Sequence, residues 1–109
     1  MKFYLMCKKV LGQKPFEEFV TFLTDQIVQK FSSDIFLDEF MEVLEYNIRI
    51  IMILSISNVL KFSEEEKENR ILLGDKERFF AAENISEFQR KNQYYIDKIT
   101  NILKWKILN

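Results

Sequence analysis

Apolar residues recur every three or four positions through most of this chain, and little interrupts that period. Between Pro15 and Gly74 there is neither glycine nor proline, the residues that end helices and shape tight turns. Residues 2–11 predict a short first helix, and Gly12-Gln13-Lys14-Pro15 a break, with Pro15 suited to the first turn of the next helix. Over 15–31, Phe16, Phe19, Val20, Leu23, Ile27 and Phe31 fall on one helical stripe. Ser32-Ser33-Asp34 predicts a turn and an N-cap.

From Asp34 onward, Phe36, Leu37, Phe40, Val43 and Leu44 share one face, and Asp38, Glu39, Glu42 and Glu45 the other. Glu45 and Arg49 stand four apart in the favourable order for an ion pair, which carries the expected helix past Asn47. Residues 50–60 are rich in β-branched side chains and fit either a buried strand or more helix. Helix is the expectation, because no turn signal separates them from what precedes. Ser63 followed by Glu64, Glu65 and Glu66 predicts a capped helix start with carboxylates at the positive end of the dipole. Gly74-Asp75 predicts a stop and a new cap. Ser86 with Gln89 predicts the start of a long last helix whose core stripe is Phe88, Tyr95, Ile99, Ile102 and Leu103.

These elements predict an all-α fold. It is a compact bundle of four to six helices in one domain, 1–109, with a largely apolar central helix (about 35–61) and a long C-terminal helix (about 87–107). A chain of 109 residues is near the common domain size and can bury one core without staples.

Composition narrows the function classes. There is no histidine and one cysteine, so His-based triads, Cys/His sites and the Glu-x-x-His motif of di-metal bundles are excluded. No glycine-rich phosphate loop or nucleophile elbow is present. Cys7, beside Lys8 and Lys9, fits either a reactive thiol or a small buried hydrophobe, and the second is the expected role. No catalysis and no cofactor or metal are expected, and no small-molecule substrate is inferred. Five apolar residues after Lys2 are too few for a secretory leader, and Met6 is a poor fit to the small residue expected before a lipidated cysteine. The longest uncharged run, between Arg49 and Lys61, is about half of the roughly 20 residues a membrane span needs. The reading is an intracellular, soluble protein without a membrane span. Phe, Tyr, Met, Ile, Asn and Lys supply 51 residues and Gly, Ala, Arg and Pro only 9, the mark of an AT-rich genome, so codon bias contributes to the wealth of Phe and Ile.

Charge is uneven: residues 1–31 carry a net +2, 32–69 a net −6 and 70–109 a net +3. Complementary helix faces account for that without a ligand, and the acidic row with Glu64 to Glu66 reads as a solvated face. Two constellations remain. On a continuous helix the row of Asp38, Glu42, Glu45 and Arg49 continues as Ile53, Ile56 and Leu60, so the second half is apolar nearly all round. Such a helix is buried at the centre of a bundle, or else Ile53, Ile56 and Leu60 dock a partner or a second copy. On the last helix, Lys91, Tyr94, Lys98, Asn101 and Trp105 form an aromatic and cationic ridge. That ridge fits a protein contact anchored by Tyr and Trp. It fits nucleic acid less well, since the net charge is −1.

Ile56–Lys67 resembles the junction between the second and third helices of golgin GRIP domains, a resemblance that implies binding of small GTPases. It spans twelve residues. The tyrosine of that family near the domain's start has no counterpart at matching distance, Tyr46 lying too close and Tyr4 too far, and the chain is assigned to no family on this basis. The expected function is a non-enzymatic helical interaction module, a subunit, adaptor or inhibitor in a larger assembly. The alternatives are a small nucleic-acid-associated protein and an obligate homo-oligomer.

Overall fold

Residues 50–60, compatible with a buried strand, are helical and form the second half of a helix of 24 residues. The structure is a computed structural model that describes residues 1–31, 37–71 and 79–108, with all their side chains but those of 37, 38 and 108. The regular structure among them is all-α: α1 (Lys2–Leu11), α2 (Gln13–Phe31), α3 (Leu37–Leu60), α4 (Glu64–Ile71), α5 (Ile85–Lys91) and α6 (Gln93–Leu108). The expected caps at Ser32–Asp34 and Gly74–Asp75 lie outside the described residues.

α3 is the centre. It packs most extensively on α6 and also touches α1, α2 and α4. Val43, Leu44, Tyr46, Ile48, Ile50, Ile51, Met52 and Leu54 are all buried, which is why a helix so apolar in its second half is stable here. The segment Glu39–Leu60 is long and apolar enough to cross a membrane, the one such segment among the described residues, and most of it is enclosed by the fold. The expected stripe of α2 faces inward: Phe16, Phe19, Leu23 and Ile27 are buried, with Val20 and Phe31 packed at their edge. Rings continue this core as a chain of contacts, Tyr4 to Phe16, Phe16 to Phe19 and Phe19 to Tyr95, with centroids 4.8, 6.4 and 4.7 Å apart.

α3's few polar side chains reach other parts of the chain. The expected Glu45–Arg49 pair is not made. Glu45 accepts hydrogen bonds from the Phe3 and Tyr4 amides at 2.8 and 3.1 Å. α1 has no acidic residue in its first turn and no side-chain cap from Met1, so a carboxylate from α3 satisfies its orphan donors at the positive end of the dipole. Arg49 instead donates through Nη2 to the Arg70 carbonyl at the end of α4, at 3.2 Å. Buried Asn47 donates to the Val43 and Phe79 carbonyls at 2.7 and 2.9 Å and accepts from the Ala81 amide at 3.0 Å. That one amide fixes residues 79–81 against α3.

The C-terminal helix expected over about 87–107 is two helices meeting at Asn92. Its Nδ2 donates to the Phe88 carbonyl at 2.9 Å, competing with the helical ladder. The same side chain exchanges two hydrogen bonds with buried Gln26 of α2, at 2.8 and 3.2 Å. The cap also moves. Asn84, not Ser86, accepts from the Glu87 amide at 2.9 Å, and Glu87 reaches back to the Glu83 amide at 3.3 Å. At α4 the expected Ser63 cap forms, with Ser63 Oγ accepting from the Glu66 amide at 3.2 Å and lying 3.1 Å from the Glu66 carboxylate.

Two junctions use left-handed backbone. Gly12 closes α1 and opens α2 as a single residue with φ 87° and ψ 161°, a conformation almost confined to glycine. Its amide bonds the Lys8 carbonyl, and its carbonyl takes the Phe16 amide. α3 ends with Lys61 at φ 56°, and the Phe62 amide returns to the Ser57 carbonyl at 3.0 Å, a Schellman-type cap in which glycine is the usual residue. Opposite outcomes follow in urea denaturation. Gly12→Ala should destabilise by about 1–3 kcal/mol although nothing lies within 4 Å of the added methyl. Lys61→Gly should stabilise by up to about 1 kcal/mol.

Candidate interaction surfaces

After the core closes, large apolar side chains remain exposed on several helices, Leu5 of α1 and Val28 of α2 among them, and two places stand out. The first is the outer face of α6. Tyr94 is 68% exposed and Trp105 70%, and Ile107 is exposed beyond them. Tyr94 stands edge-on to Tyr95 at 5.1 Å, and Tyr95 packs on the part-exposed Phe22 of α2 at 5.4 Å. The patch is therefore anchored through Tyr95 to the ring chain of the core. Lys98 is half-buried with its ammonium 5.8 Å from the Tyr94 ring. Exposed Lys104 and Lys106 flank Trp105. Burial, then the charge of Glu18 and Tyr94, push the Tyr95 hydroxyl up from its ordinary value.

Lys91 departs from the expected ridge. It sits on α5, across the break at Asn92, and its ammonium is 2.9 Å from Glu87. That hydrogen bond, followed by the one from the Glu83 amide, holds the Glu87 carboxyl below its ordinary value. Lys91 is thus neutralised, while Tyr94, Lys98, Asn101 and Trp105 remain together on α6. Phe22 escaped the sequence reading because it lies off the α2 stripe, and the run of exposed Phe22 and half-buried Tyr95 is visible only once α2 and α6 are side by side.

The second place is a groove of about 350 Å³ between the N-terminal end of α1, the second half of α3 and α4. Phe3, Ile53, Ile56 and Phe62 are its apolar lining, and Arg49, Asn69 and Arg70 its polar residues. Ile53 and Ile56 are half-buried there, so they are neither sealed in the core nor fully presented to solvent. Leu60, at 54% exposure, stands outside it at the C-terminal end of α3. The Arg70 guanidinium lies 4.4 Å from the Phe62 ring centroid and that of Arg49 5.8 Å from Phe3.

Among the described residues no three Asp, Glu, Cys or His side chains are grouped to hold an ion. Cys7 is fully buried and in the core, and burial pushes its thiol up to about 12, so it is a packed hydrophobe and not a thiolate. Compared with models of known protein families, with characterised proteins and with solved structures, the chain matches none.

The cysteine carries a measurable consequence. An unfolded thiol titrates near 9.0 and the folded one near 12, so between those values the native state keeps a proton that the unfolded chain has released. Stability from this source is complete below pH 9 and declines as pH rises through the window. The urea midpoint should fall with rising alkaline pH, less steeply in Cys7→Ala, where the Tyr95 hydroxyl still contributes. At neutral pH, a thiol reagent should label Cys7 only in step with unfolding.

Proposed function

We propose that this protein is a small helical interaction module that binds a protein partner through the outer face of α6. The observation that carries the reading is the pair Tyr94 and Trp105, both more than two-thirds exposed on one face of a helix whose opposite side is core. Large aromatic side chains left in water forgo roughly 25 cal/mol per Å² of burial, and Trp and Tyr dominate binding energy where they are buried between proteins. Lys98, Lys104 and Lys106 ring the two anchors, so the complementary surface is apolar at its centre and acidic at its rim. A soluble, non-enzymatic subunit, adaptor or inhibitor is the corresponding role. The nucleic-acid reading loses a cation, because Lys91 is paired with Glu87 at 2.9 Å.

Size exclusion with light scattering distinguishes a protein of another kind from a second copy. A species near 13.2 kDa leaves the α6 face free for another chain. A dimer that Trp105→Ala dissociates makes the partner a second copy. With a monomer, photo-crosslinking from position 101 in source-cell extract identifies the neighbour, and the purified neighbour should bind about thirtyfold more weakly to Tyr94→Ala/Trp105→Ala. Equal binding by the double variant overturns the assignment of the surface. Salt-sensitive retention of an oligonucleotide, lost in Lys98→Glu/Lys104→Glu, replaces it with the nucleic-acid reading.

A further inference from the structure

α1 turns Cys7 and Leu11 into the core and leaves Leu5 outside, at 61% exposure. Lys2 stands three residues before Leu5, Lys8 three after and Lys9 four after, so all three border it on the helix surface. Each is exposed, as is Lys14 just past the junction with α2. Residues 1–16 hold these four lysines and no aspartate or glutamate. Among the described residues none of the four makes an ion pair. Glu45, the carboxylate that reaches α1 from α3, is committed to the Phe3 and Tyr4 amides. At physiological salt exposed charges act over about 8 Å. This local group of cations, and not the net charge of −1, therefore sets what the face attracts.

We propose that the outer face of α1 docks on an anionic membrane surface, with Leu5 in the headgroup layer and Lys2, Lys8, Lys9 and Lys14 over acidic headgroups. The residue types favour lipid over protein. Protein interfaces are poor in lysine and are anchored by Trp, Tyr and Arg, none of which is exposed on α1. A bilayer asks for no matched pairing: flexible ammonium groups reach many headgroups while their stems lie along apolar material. A single apolar anchor holds a protein to a bilayer only marginally, and a polybasic group supplies the second attachment. The docking is peripheral, since the apolar segment of α3 stays mostly enclosed by the fold. The α1 face shares no residue with the α6 face and is independent of the function proposed for it.

The test is co-sedimentation of the full chain with vesicles of phosphatidylcholine, alone or with about 30% phosphatidylserine. Phosphatidylserine should tighten binding about tenfold or more, and high salt should reverse the gain. Lys8→Gln/Lys9→Gln should weaken binding about twenty-five-fold, because each lysine at an anionic surface contributes about a factor of five. Leu5→Ser should weaken it about tenfold. All three positions are exposed, so the helical circular dichroism should not change. Four results overturn the proposal. They are no binding to the phosphatidylserine vesicles, equal binding to phosphatidylcholine alone, and tighter binding to polyglutamate, which assigns the face to an acidic protein. The fourth is vesicle binding that both α1 variants leave intact and Tyr94→Ala/Trp105→Ala removes.

Discussion

Burial of the middle of α3 is the constraint from which the rest of the structure follows: Val43, Leu44, Ile48, Ile50, Ile51, Met52 and Leu54 are enclosed, while Glu39, Glu42 and Leu60 stay exposed. A helix whose second half is apolar nearly all round cannot lie on a surface, so the other helices must cover it. Wrapping also forces each polar group on it to find a partner, because an unmet donor or acceptor in the interior costs about 1–3 kcal/mol. Glu45 meets that demand at the amides of α1, Asn47 at residues 79–81 and Arg49 at the last turn of α4. Ser55 donates to its own Ile51 carbonyl. The few polar side chains of the central helix are therefore the ones that position its neighbours. Apolar packing alone allows those neighbours to slide, whereas a hydrogen bond with one partner sets a register.

A second buried pair serves the same end. Gln26 and Asn92 exchange hydrogen bonds across 66 positions of sequence, joining α2 to the point where α5 gives way to α6. Phe88 and Ile99 on either side of that point are both fully buried, one on each helix. Lys91 lies on the α5 side of that junction, paired with Glu87.

The arrangement leaves two kinds of surplus. On α6 it is apolar: the ring chain that runs from half-buried Tyr4 through Phe16 and Phe19 of the core ends at Tyr94 in solvent, and Trp105 lies further along the same face. Beside the groove it is polar, a buried guanidinium nitrogen of Arg49 without a hydrogen-bond partner. Each is a local departure from the rule that folding satisfies what it buries, and such departures concentrate where a protein meets something else.

Helix content, helix order and the inward stripes of α2 and α3 were legible in the sequence, because period and the lack of Gly and Pro act through local geometry that each segment carries with it. The Ser63 cap was legible for the same reason: both partners lie within four residues. The Glu45–Arg49 pair and the unbroken last helix were reasonable local choices that tertiary contacts overrode, whereas the Ser86 cap gave way to another local one. Glu45 found two amides more than forty residues away and Asn92 was held by Gln26, while the Glu87 amide went to Asn84, three residues before it. Local pairing of exposed groups is worth a few tenths of a kcal/mol, less than capping an open helix end or satisfying a buried amide. The sequence by itself thus determined that the chain is helical and which faces are apolar. Only the tertiary structure decided where the polar groups go, because their partners come within reach only after the helices have packed.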